Sequence, residues 1–309
     1  MIHNSFFSSL LKPWAILPEA HAQLTAMFKS GAHEAIQAFN RSIGEDRLRA
    51  LARRRSFRSR GERSMLWANG DEDMEWFDPY YDPHIRPSGV AVVPIRGVLL
   101  DRANWCYTGY DVIEQSLRDV MAEREARMPL KDVAQVKAIV IPCDSPGGVG
   151  IGQTQLCGYM RMIREEVPVY WVVDQMTCSA AQVLALQASL ICVNPDSMCW
   201  HYGSYIRNEN FSALLAKEGI SVEYHALPSD SKVFFAPDVP VSDKARAIYE
   251  SQNAYGFQQM LLEAELGAGL DENFVRSMDA RIFMGLQAID AGIAQKNLTF
   301  TELLNMIEQ

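Results

Sequence analysis

The chain has 309 residues, 48% of them apolar and 22% charged, and a formal net charge of −9. That balance fits a globular protein with a sizeable core, built as one large domain with appendages or as two domains. The negative charge excludes a chain whose whole surface serves nucleic acid, and the lack of any run of about 18 uninterrupted apolar residues excludes a transmembrane helix. The six cysteines, at 106, 143, 157, 178, 192 and 199, form no CxxC pair, and no histidine spacing beside them suggests zinc. Several lie in apolar runs, where a free thiol acts as a small hydrophobe, and the natural compartment is a reducing cytoplasm.

The N-terminal region differs from the rest. Phe6, Phe7, Leu10 and Leu11 form an apolar patch without a basic segment before it. It reads as an amphipathic arm that docks on the body or on a partner, rather than as a signal peptide. Pro18-Glu19 opens a helical pattern that continues through Leu24, Met27, Phe28, Ala35, Ile36 and Phe39. Arginines 47, 49, 53, 54, 55, 58, 60 and 63 follow, and then the acidic and aromatic segment 71–78. Phe57 is the single aromatic among the arginines, too few for a stacking pattern, so the run reads as a solvated face neutralised by the acidic segment, not as a nucleic-acid site. Asp78-Pro79, Asp82-Pro83 and Arg86-Pro87 mark an extended linker. The expected division is a helical arm with linker over 1–87 and a main domain over 88–309.

From residue 89 strands and helices alternate. Strands are expected over 90–95, 136–141, 167–173 and 190–193, and helices over 111–121, 152–165 and 179–188. Near-continuous apolar strands separated by helices indicate a parallel sheet covered on both faces. The C-terminal part is mostly helical. Ser242 caps a long helix to about Leu266, a short helix follows Asp271, Arg281-Ile282-Phe283 is strand-like, and a helix over 286–291 ends at Gly292.

Two strand ends carry the chemistry, as expected for the carboxyl ends of strands in an open α/β sheet. Asp144-Ser145-Pro146-Gly147-Gly148 offers backbone donors to an anion, and glycine lets a substrate approach the main chain. Ser179 follows a buried strand, has small neighbours in Cys178, Ala180 and Ala181, and comes one strand–helix unit after the glycine pair. A serine needs a base. Lys232 serves if desolvation holds it neutral, with Val233, Phe234 and Phe235 as apolar neighbours. His201, with Asp279 to orient it, is the other base in reach of this reading.

The order of these motifs resembles a known family. Asp144-Ser145-Pro146-Gly147-Gly148, Cys178-Ser179-Ala180-Ala181, Tyr202-Gly203-Ser204-Tyr205, Ser231-Lys232 with Pro237, and Gly285-Leu286-Gln287-Ala288-Ile289-Asp290-Ala291-Gly292 are similar to the S49 peptidases, the signal-peptide peptidase A family. The phage head-maturation and capsid-assembly branch is the nearest in pattern, and Lys12–Glu19 also looks like the start of phage members. The resemblance implies a ClpP/crotonase-like α/β fold of repeated strand-strand-helix units, with a helical N-terminal extension and a helical C-terminal part. It implies Ser179 as nucleophile, Lys232 as general base, the backbone of Gly147 and Gly148 as oxyanion hole, and Ser204 as orienter of the lysine. It implies hydrolysis of scaffold and capsid-associated proteins through an acyl-enzyme, without metal or cofactor, by a homo-oligomer in the host cytoplasm or an assembling phage head, away from membranes. The chain departs from the family pattern at Gln182, at Tyr205-Ile206 and around Lys232.

Overall fold

The computed structural model describes residues 83–103, 107–234 and 236–309, together with the backbone of 14–16. The helical pattern of 18–39, the arginine run and the acidic segment lie outside the described residues.

Strands form where the apolar runs demand them. The main sheet has nine strands. Its path runs β12 (Ile282–Met284), β11 (Met198–Trp200), β9 (Val169–Cys178), β7 (Ala138–Ser145), β3 (Val90–Val92) and β2 (His84–Ile85). Off this path, β10 (Leu190–Val193) pairs with β9 and β13 (Lys296–Asn297), and β4 (Ile95–Arg96) pairs with β7. Pairings among β3, β4, β7, β9, β10, β11 and β13 are parallel, while β2 and β12 close the edges antiparallel.

The pleat sorts the side chains to two faces. Ile139, Ile141 and Cys143 point into the larger core, and Val140 points into the smaller one with Val90, Val172 and Cys192. Helices cover both faces. On the larger-core side, α1 (Tyr110–Arg127) buries Ile113, Leu117 and Val120, and α2 (Gln153–Glu166) buries Leu156, Cys157, Met160 and Ile163. These spacings of three and four place each set on one helical stripe. The smaller core is closed by α8 (Phe300–Glu308), through Leu303 and Leu304. The mixed α/β class with a mainly parallel sheet and a helical C-terminal part is therefore what the chain adopts.

The elements largely follow the sequence reading, with physical reasons for the differences. Pro94 cannot donate to a ladder, and the expected strand 90–95 is split into β3 and β4. β9 runs on through Asp174-Gln175-Met176 to Cys178, because its far end pairs with β11 as its near end pairs with β10. The long helix α5 (Asp243–Ala268) starts at Ser242, whose hydroxyl accepts from the Ala245 N–H, and ends at Gly269 in the left-handed region. The remaining helices are α3 (Ala180–Ala185), α4 (Ser212–Lys217), α6 (Glu272–Ser277) and α7 (Gln287–Asp290).

A second, four-stranded sheet lies beside the first. Its order is β1 (Trp14–Ile16), β8 (Gly147–Val149), β5 (Leu99–Leu100) and β6 (Thr108–Gly109). The chain passes from one sheet to the other at Pro146, between β7 and β8. Among the described residues no helix is long and apolar enough to cross a membrane.

Candidate active site

Ser179 occupies the junction of β9 and α3. Its backbone has φ 53° and ψ −119°, outside the regions that L-residues favour. Such a conformation costs on the order of 1–3 kcal/mol and persists only where the surroundings impose it. Here they do so through Trp200. The Ser179 N–H donates to the Trp200 carbonyl at 2.7 Å. The Trp200 N–H in turn donates to Oε1 of Gln182 at 3.0 Å. Trp200 and His201 also have positive φ, so two sharp turns brace each other. A serine on a sharp strand-to-helix turn presents its Oγ at the end of the sheet, the arrangement that nucleophilic serines use.

The side chain of Ser179 is buried, and its Oγ donates to the Gly203 carbonyl at a long 3.4 Å. The neighbouring Cys178 does not compete with it. Burial, with Cys199 nearby, pushes the Cys178 thiol up to about 12, so it stays protonated near neutral pH.

The glycine pair stands beside this turn. Ser145 of β7 lies opposite Thr177 of β9, so the two chains leave the sheet together, and α3 packs against β8. The Ser145 hydroxyl donates to the Gly97 carbonyl at 2.7 Å and accepts from the Gly147 N–H at 3.2 Å. Tyr110 donates to the Val149 carbonyl at 2.6 Å and fixes the far end of β8. The two glycines are needed for different reasons. Gly147 has φ 99°, which only glycine takes without strain. A Cβ on Gly148 would stand 1.8 Å from the Leu99 carbonyl oxygen of β5. Nearby, burial raises the half-buried Asp144 carboxyl above its usual range, with Asp174 adding to the effect and Arg96 opposing it.

Lys232 is placed differently. It lies in a 3-10 turn over Asp230–Val233, capped by Ser229, and its side chain is exposed. Among the described residues its Nζ has no hydrogen bond or ion pair. Ser204 donates to the Asn253 carbonyl of α5 at 3.3 Å rather than to Lys232. The lysine turn meets the same helix: Tyr249 donates to the Phe234 carbonyl at 3.2 Å, and the Lys244 ammonium sits 5.6 Å from the Phe234 ring centre. Tyr249 and Asn253 are one helical turn apart, about 6 Å along the axis. Neighbouring turns of α5 thus receive the loop after β11, at Ser204, and the turn that carries Lys232. His201 is partly buried, and Asp279 is exposed with no side-chain hydrogen bond among the described residues.

The structure therefore brings Ser179 together with Gly147 and Gly148, and leaves Lys232 and Ser204 on two separate segments that each meet α5, with no hydrogen bond between them among the described residues. Sequence reading noted Gln182 and Tyr202 only as parts of the family pattern and missed the bonds they make. The first is the polar residue in the otherwise apolar and small Ala180–Ala185, and that exception was its signal. The second donates to the Met260 carbonyl at 2.6 Å and pins the loop after β11 to α5. Nothing local in the sequence marks it.

This is an α/β protein with a strained, braced serine beside a glycine strand. The family model of Peptidase family S49 matches residues 161–309, which contain Ser179 and Lys232, so this part of the chain is similar to the S49 peptidases. It is 26% identical over 225 residues to the capsid assembly protease C of Escherichia phage lambda, covering 71% of this chain and 49% of that protein. It is 24% identical over 238 residues to the head-tail preconnector protein GP5 of Enterobacteria phage P21, covering 71% and 43%. The chain thus spans about half the length of these curated relatives. Among solved structures, it is similar to a mutant of the 1510-N membrane-bound stomatin-specific protease, with a TM-score of 0.43, 15% identity and coverage of 70% and 83%.

Proposed function

We propose that this chain is a serine endopeptidase that uses Ser179 as nucleophile and Lys232 as general base. The observation that carries the reading is the strained Ser179 turn set beside the Gly147–Gly148 strand. In the proposed reaction a neutral Lys232 takes the proton as Ser179 Oγ attacks the scissile carbonyl. Backbone N–H groups of the glycine strand stabilise the oxyanion, and the protonated lysine gives its proton to the leaving amine. Water then enters the same cycle and releases the acyl group.

A lysine serves as base only when desolvation holds it neutral. The segment around Lys232 exposes Phe211, Leu214, Ile220, Val222, Tyr224 and Leu227. That apolar surface supports a homo-oligomer in which a second copy covers the lysine turn. The substrates are scaffold and capsid-associated proteins of an assembling phage head in the host cytoplasm, a reading supported by the named role of the lambda relative. β2 pairs with β3, so His84–Ile85 belongs with the peptidase domain, and Ser204 helps place the lysine through α5.

The Ser-His-Asp alternative is less favoured, because the Asp279 carboxylate is exposed and orients nothing among the described residues. Intact-mass spectrometry after treatment with a fluorophosphonate decides between them. The reading expects one adduct on the native chain and none on Ser179→Ala or Lys232→Ala. An adduct retained in Lys232→Ala and lost in His201→Ala overturns it.

A further inference from the structure

The glycine strand has a neighbour on its outer edge that comes from far away in the sequence. β8 pairs with β5 on one side and with β1 on the other. β1 runs antiparallel to it, with Trp14 opposite Val149, Ala15 opposite Gly148 and Ile16 opposite Gly147. An open strand edge is a template for an added strand, and extended peptides bind by completing such an edge.

The direction of β1 matters. It enters at Val149 and leaves at Gly147, the end of β8 that lies beside the Ser179 turn. A peptide offered to Ser179 has to run along this edge, extended, with its reacting carbonyl near the nucleophile and the backbone donors. β1 has that course already. In sequence it is followed by Leu17-Pro18, and an X–Pro bond has no N–H and carries a ring on its leaving nitrogen. Such a segment suits binding without cleavage.

We infer that the outer edge of β8 is a peptide-binding surface and that Trp14–Ile16 of the same chain occupies it in competition with substrate. The inference rests on the assignment of Ser179 and the glycine strand to the reaction centre. It adds an occupant that holds the site when no substrate is present.

Ala15→Pro removes a backbone donor from the middle of β1 and breaks the pairing. In a Ser179→Ala background, amide exchange at Gly147–Val149 is expected to quicken by about tenfold on adding Ala15→Pro. Unchanged exchange overturns the occupancy. In the active chain, Ala15→Pro is expected to be acylated by a fluorophosphonate about tenfold faster than the native chain, a difference of about 1.4 kcal/mol in competition. A synthetic peptide of residues 12–18 should slow it again, and the same peptide with proline in place of Ala15 should not. Equal acylation of both chains, or loss of the N-terminal residues by self-cleavage after Ile16 or Leu17, overturns the competitor role. If neither chain is acylated, the Ser-Lys reading fails and the competition with it, while amide exchange still decides the strand.

Discussion

The turn that carries Ser179 and the turn that carries Lys232 meet the same helix, directly or through one loop, but they are built on opposite terms. Around Ser179 the strand and helix neighbours are buried: Cys178, Ala180, Ala181, Gln182 and Trp200 are each at most 1% exposed. Around Lys232 the chain is open, and α4, the helix just before it, buries none of its residues. One half of the proposed site is imposed by the core and the other is not. The lesson is that strain needs a packed frame, whereas a base on a surface turn can be completed later, by whatever covers it.

The largest expected effects test whether the two halves belong to one reaction. Ser179→Ala should abolish acylation outright. Lys232→Ala should slow it by about 10²–10⁴, the usual contribution of a general base. Thermal unfolding separates the halves. Lys232→Ala should change stability by no more than about 0.5 kcal/mol, as exposed substitutions do. A large loss of stability in that variant would mean that the lysine turn is structural, and the contrast would collapse.

Gly148→Ala attacks the buried half. The added Cβ meets the Leu99 carbonyl at 1.8 Å, and neither strand has a flexible side chain that can yield. The expected loss is on the order of 3 kcal/mol, at the upper end of overpacking, measured by denaturant unfolding. Acylation should fall with it. A fully stable Gly148→Ala chain would show that β5 and β8 are not held at this distance.

These contrasts bear on what the sequence could reveal. The strands that lead to Ser145 and Ser179 were legible because buried parallel strands leave apolar runs closed by turn residues, although both run further than those apolar runs. The turns at Ser179 and at the glycine pair were legible for the same reason, whereas a serine there reads first as a helix cap, and only the combined pattern points to chemistry. Lys232 was legible only through the family pattern. Its exposure is the default reading of a lone lysine, and Val233 and Phe234, which look like cover in one dimension, are only half-buried in three. The bond from Ser204 to Asn253 spans 49 residues and the bond from Trp200 to Gln182 spans 18, so neither leaves a local trace. The pairing of Ala15 with Gly148 is longer still.

Gln182→Met sharpens the comparison at one bond. The change keeps volume while removing the acceptor for the Trp200 N–H, which then has no partner in a dry site. Leaving such a donor unpaired costs about 1–3 kcal/mol. The Ser179 turn should relax as well, so acylation should drop by more than in Lys244→Met, which only touches the Phe234 ring. Crystals or amide exchange of Ser179 and Trp200 would report the relaxation. Equal acylation in both variants would mean that the strain at Ser179 is held without Gln182.

The smallest effect comes from a pair remote from both halves. Arg86 and Ser88 donate to the Glu308 carboxylate, with Arg86 Nε at 2.5 Å, and so tie α8 to the turn before β3. The hydrogen bond from Arg86 is the main cause that holds the Glu308 carboxyl below its ordinary value of 4.5. A carboxyl that is more acidic in the folded chain adds stability above its unfolded value. That stability is lost as pH falls through the lower, folded value. Because the Arg86 side chain is 36% exposed, solvent screens the pair and its worth is below about 1 kcal/mol. Arg86→Met should therefore flatten the fall in stability below pH 4.5 and leave the ratio of acylation rates between native and Lys232→Ala chains unchanged. A shift in that ratio would show that the frame of α8 reaches the reaction centre, and that the buried and exposed halves share more of the fold than the α5 contacts alone.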